Sequence, residues 1–134
     1  MVEKKSAISY ESIMKDLKAR KYSPVYVLMG EEPFYIDKIC DYISENVLQP
    51  EERDFNQTVV FGADVTGAQV ADLCKGYPMM AEYRVVVVKE AQNLRNLEPL
   101  EKYLLNPVKT TILVLCHKNG SIDRRKKFIP QAEK

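Results

Sequence analysis

Residues 25–40 read VYVLMGEEPFYIDKIC, and the fold turns on this stretch. Val25–Met29 is an unbroken run of β-branched, aromatic and aliphatic side chains ended by Gly30. A run apolar on both faces suits a central strand of a parallel sheet covered on both sides. Pro33 fits the first turn of a following helix, where a missing N–H costs nothing and the fixed φ is already helical. Ile36, Ile39, Cys40, Ile43 and Val47 then recur at helical spacing as a buried face, and Pro50 is expected to close the segment.

The same alternation continues in both directions. Tyr10, Ile13, Met14 and Leu17 form one apolar stripe on a first helix, with Ser9 placed to cap it and Arg20–Pro24 to break it. Phe55–Phe61 reads as a second strand. Val70, Leu73, Cys74 and Tyr77 then make a short helix, stopped by Gly76 and Pro78. Val85–Val88 is four valines in a row, which lose rotamer freedom in a helix and fit a pleated sheet. Leu97, Leu100, Tyr103 and Leu104 predict another helix with Pro99 in its first turn, and Thr111–Cys116 a last strand. The expectation is an α/β fold, a mostly parallel sheet flanked by helices on both faces, built as one domain over residues 1–134. After Lys118-Asn119-Gly120 comes a basic cluster, Arg124, Arg125, Lys126 and Lys127, then Phe128 and Ile129 as the opening of an unfinished apolar face. That pattern suggests a domain excised from a longer chain.

Composition narrows the function classes. The 134 residues carry a net charge of +1 with 46% hydrophobic content, so any contact with DNA must come from a local patch. The polar opening Met1-Val2-Glu3-Lys4-Lys5-Ser6 is not a secretory signal, and the apolar runs are strand-sized, well short of the ~20 residues a membrane helix needs. Cys40, Cys74 and Cys116 are odd in number, widely spaced and set within apolar patterns. They read as small buried hydrophobes of a cytoplasmic, reducing environment, with no metal and no disulfide expected.

A strand–glycine–helix unit invites a phosphate-binding reading, and the residues oppose it. A P-loop needs G-x-x-x-x-G-K-[ST], whose amides, lysine and hydroxyl surround phosphate and Mg²⁺. Here Glu31 and Glu32 occupy the position an anion would take, Pro33 removes a helix-terminal amide, and no Lys-Ser/Thr pair follows. Lys89 follows the valine strand where an Mg²⁺-holding aspartate would stand, with Glu90 after it. No cofactor and no catalytic residue are therefore expected, and His117 reads as a structural or surface histidine. An NTPase with an atypical phosphate site is the alternative.

The adjacent Met79 and Met80 follow the helix-ending Pro78. Neighbours in an extended turn point different ways, so both reaching the core is disfavoured. From the residues alone two readings stay open: inward gap-fillers, or flexible thioethers offered to a partner's groove.

In order along the chain, four segments resemble the bacterial DNA polymerase III delta family of clamp-loader subunits. They are Pro24–Phe34 with its Gly-Glu-Glu turn, Phe55-Asn56 with Phe61–Asp64, Pro78–Lys89, and Tyr103–Pro107 continued by Lys118, Arg124 and Lys126. The resemblance covers essentially the whole chain and implies a P-loop-NTPase/AAA+-like module that has lost its nucleotide site. It implies no catalysis by this chain itself, within a holoenzyme that is a DNA-directed DNA polymerase. The implied partners are the beta sliding clamp, the delta prime and tau/gamma subunits through the remainder of a longer chain, and DNA in the full assembly. By position, Met79 and Met80 fall on the two plug residues of the clamp contact, with Tyr77, Pro78, Glu82, Tyr83 and Arg84 as neighbours. Many relatives carry an aromatic at the second plug position, so Met80 departs from the pattern. Arg124, Arg125, Lys126 and Lys127 are candidates for DNA or interdomain contact.

Overall fold

The computed structural model describes residues 10–29 and 33–117. Its four strands are β1 (Val25–Met29), β2 (Gln57–Phe61), β3 (Arg84–Lys89) and β4 (Thr111–His117). Its helices are α1 (Tyr10–Lys18), α2 (Pro33–Asn46), α3 (Pro50–Asn56), α4 (Gly67–Cys74) and α5 (Glu98–Leu105). The strands form one sheet in the order β1-β4-β3-β2, and every pairing is parallel.

The valine run explains the two-layered packing around β3. Successive side chains of a strand point to opposite faces. Val86 and Val88 pack with Val70, Cys74, Leu100 and Leu104 of α4 and α5, while Val85 and Val87 pack with Leu17, Ile39 and Ile43 of α1 and α2. All four valines are fully buried, each contributing about 1.5–3 kcal/mol of apolar burial. In β4, Leu113 and Leu115 face the first layer and Ile112, Val114 and Cys116 the second. Helices on both faces are thus the consequence of strands apolar on both faces.

Three expectations are corrected. Val25–Met29 lies at one end of the strand order among the described residues, not in the centre. Its unbroken apolar pattern reflects cover on both faces, since Val25 joins one cluster and Leu28 the other, and says nothing of how many strands flank it. Pro50 begins a helix instead of closing one, and Phe55 and Asn56 are the last residues of α3, so β2 starts at Gln57. The cause is an N-terminal box: Pro50 at the first helical position, the Gln49 amide donating to Glu52 Oε1 at 2.9 Å, and Glu51 and Glu52 at the positive end of the helix. Arg53 Nη2 donates to Glu45 O at 2.6 Å and ties α3 to α2. Finally, Tyr77 is not on the helical stripe, because α4 ends at Cys74. Arg84 Nε donates to Leu73 O (3.1 Å) and Thr111 Oγ1 to Cys74 O (2.8 Å), so two strand residues take the last carbonyls of α4.

Candidate functional site

The segment Lys75–Tyr83 joins α4 to β3. It leaves the helix through Gly76, where an added Cβ would stand 3.2 Å from the Arg84 guanidinium, so that side chain fills the space beneath the turn. Tyr77 is exposed and Pro78 half-buried. Met79 is 58% exposed and Met80 99% exposed, so neither is an inward gap-filler. Met80 adopts φ 58°, a left-handed conformation uncommon for a residue with a side chain. The chain then returns to the body: Ala81 and Tyr83 pack on the α1–α2 layer, and Tyr83 meets Tyr22 edge-on at 5.3 Å. Glu82 is exposed beside them.

The loop is gripped from α3. The Met79 amide donates to Asn56 Oδ1 at 2.6 Å, and Asn56 Nδ2 donates to Met79 O at 2.9 Å. Asn56 Nδ2 also reaches Glu52 O at 3.0 Å, one turn back in its own helix. Phe55, next to Asn56, is 66% exposed.

Of the expected contact residues, Tyr77, Met79, Met80 and Glu82 are accessible, and Pro78, Tyr83 and Arg84 are half-buried. Arg84 is engaged with the α4 terminus and Tyr83 with Tyr22, so these two support the loop from below. The sequence pattern does not single out Asn56, because Phe55–Phe61 reads whole as a strand. The helix-start signal at Pro50–Glu52 places it on α3.

The Gly30–Glu32 turn and the basic cluster Arg124–Lys127 lie outside the described residues. At the end of β3, Lys89 is half-buried and Glu90 exposed with φ 54°. Cys40, Cys74 and Cys116 are all buried, as their apolar settings predict. A hydrogen bond with Cys116 lowers the Cys40 thiol to about 7 against the opposing effect of burial, whereas burial pushes Cys74 up to about 12. Tyr103 is likewise raised to about 12, chiefly by burial. His117 is buried at the end of β4. No group of three or more potential metal ligands occurs among the described residues, and no helix there is long and apolar enough to cross a membrane. What the arrangement offers is an exposed thioether pair on a tethered loop.

The all-parallel sheet covered by helices defines an α/β fold that this chain shares with a solved clamp-loader protein. The chain superimposes with a TM-score of 0.85 on the Bacillus subtilis DNA clamp loader delta protein, at 28% identity, over 94% of this chain and 40% of that one. Residues 26–134 match the family described as DNA polymerase III, delta subunit. The DNA polymerase III subunit delta of Bacillus subtilis (strain 168) is 30% identical over 133 aligned residues, spanning 91% of this chain and 38% of the relative. The chain therefore belongs to the DNA polymerase III delta family and spans about two-fifths of its relatives' length.

Proposed function

We propose that this chain is the clamp-gripping module of a delta subunit, binding the beta sliding clamp through Met79 and Met80 and helping to open it for loading onto primed DNA. The observation that carries the reading is the pair itself: two thioethers at 58% and 99% exposure on a loop that a buried asparagine holds in place. Exposed apolar groups mark contact surfaces when they cluster, and Tyr77, Met79 and Met80 are all exposed in one short stretch of this loop. Methionine adapts its shape to a hydrophobic pocket. If that pocket is more accessible in the opened ring, binding favours opening through differential affinity.

Tyr77, Pro78 and Glu82 border the contact, and Tyr83 and Arg84 brace it. The nucleotide site is lost in this reading, with Glu31, Glu32 and Lys89 in the places of phosphate and metal ligands, so hydrolysis belongs to other subunits. Delta prime and tau/gamma subunits and DNA are partners in the assembled loader, in the cytoplasm. The test is the affinity for the sliding clamp of the same organism before and after Met79→Ser/Met80→Ser. Loss of binding with an unchanged melting temperature supports the plug, and unaltered affinity removes it.

A further inference from the structure

Asn56 is 1% exposed, and its carboxamide makes three hydrogen bonds: one to Glu52 O, and two to the N–H and C=O of Met79. A buried amide is costly unless it is satisfied, and most of what satisfies this one is the loop peptide 23 residues away. The fit is directional. The side-chain oxygen meets an N–H and the side-chain nitrogen a carbonyl, a donor–acceptor pairing that only a carboxamide provides at this length. Among the described residues, no other hydrogen bond holds the Tyr77–Tyr83 segment. The next residue, Met80, stands in a left-handed conformation with its side chain wholly in solvent. A free loop would populate that conformation sparsely.

We propose that Asn56 is a positioning residue for clamp capture. By fixing the Met79 peptide, it keeps the Met79–Met80 pair in its binding-competent conformation before the clamp arrives. The proposal rests on the plug reading and adds a kinetic role to it. An incompetent fraction of loops divides the productive association rate, because apparent affinity scales with the competent fraction. Asn56 touches no partner in this scheme, so it governs association. The methionines touch the partner, so they govern dissociation.

The test uses surface plasmon resonance against the sliding clamp, together with amide hydrogen exchange of the unbound protein. Asn56→Ala is expected to accelerate Met79 amide exchange. It should also slow association on the order of tenfold, with dissociation within about twofold of the parent. Asn56→Ser, whose hydroxyl still serves the Glu52 carbonyl but is too short to hold the Met79 peptide at both ends, is expected to behave alike and covers the case in which the alanine variant folds poorly. Met79→Ser/Met80→Ser is expected to accelerate dissociation and keep the Met79 amide protected. Unchanged association despite a fast-exchanging Met79 amide overturns the positioning role while leaving the plug standing, as does a Met79 amide that stays protected without Asn56. Unaltered clamp binding by the double methionine variant overturns the plug reading, and the positioning role with it.

Discussion

Replacing Met79 and Met80 by serine tests the proposed clamp contact separately from folding, and the structure sets the size of both effects. Met80 is 99% exposed, so its side chain contributes almost nothing to the folded state, and Met79 is 58% exposed. Surface substitutions of this kind stay within about 0.5 kcal/mol, which corresponds to a melting-temperature change of no more than about 3 °C for a domain of this size. Binding has the opposite arithmetic. Burying a methionine fully is worth about 1.5–3 kcal/mol. Met80 has all of that to gain from a partner, whereas Met79, already two-fifths covered, has about 0.9–1.7 kcal/mol to gain on the same scale. Together they amount to roughly 2.4–4.7 kcal/mol, a weakening of about fiftyfold to three-thousandfold in Kd. The order of the single variants follows from the same exposures: Met80→Ser costs more than Met79→Ser. Titration against the sliding clamp by surface plasmon resonance, with melting curves by circular dichroism, measures both. A double variant that binds within threefold of the parent refutes the reasoning, and so does a Met79→Ser variant that loses more than Met80→Ser.

Met80→Gly is expected to move stability and binding in opposite directions. Relief of the left-handed strain at φ 58° is worth about 1–2 kcal/mol, of which glycine's added unfolded-state freedom returns about 0.5–1. A higher urea midpoint with weaker clamp binding checks it. Mg²⁺-ATP is expected to leave the melting temperature unmoved, where a true binder at a hundred times its Kd would gain about 2.7 kcal/mol. A clear upward shift would restore the NTPase alternative. Alkaline pH is expected to destabilise the fold through Cys74 and Tyr103, whose folded values near 12 lie above their ordinary values of 9.0 and 10.0. A raised folded pKa gives stability that is complete below the unfolded value and lost as pH climbs through the folded one. Urea midpoints should therefore fall between about pH 9 and 12, and Cys74→Ala should flatten the early part of that decline.

Sequence made β3 and β4 legible because these two strands are covered on both faces. Val85–Val88 and Thr111–Cys116 carry no alternation to misread, and the helices between them repeat at 3.6 residues over enough turns to stand out. The errors fall where local signals compete. In Phe55–Phe61 the strand signal is carried by Phe55 and by the Thr58–Phe61 half, weakened by the polar Asn56 and Gln57, and the helix-start box at Gln49–Glu52 commits the chain to the 7-residue helix Pro50–Asn56 before the strand begins. Tyr77 sits at the right spacing for the α4 stripe, but Arg84 and Thr111 take the last carbonyls at Leu73 and Cys74 and end the helix first. Those partners lie 11 and 37 residues away, beyond the reach of any local pattern.

The loop's design could not be read locally for the same reason. Two adjacent methionines after a proline are compatible with a filled core or a bare surface, and what decides between them is a carboxamide 23 residues upstream. Asn56 at the end of α3 is buried at 1%, so its polar atoms must be paired inside the protein. The Met79 peptide satisfies them, and in doing so is fixed against a helix that Arg53 anchors to α2 and that runs directly into β2, which pairs with the fully buried valine strand. The exposed thioethers are therefore linked to the sheet through one side chain. A loop of this length joined only at its ends would pay ordering entropy on every encounter. Under the proposed positioning role that cost is met during folding, by a buried polar group whose own satisfaction requires the loop to stand where it does.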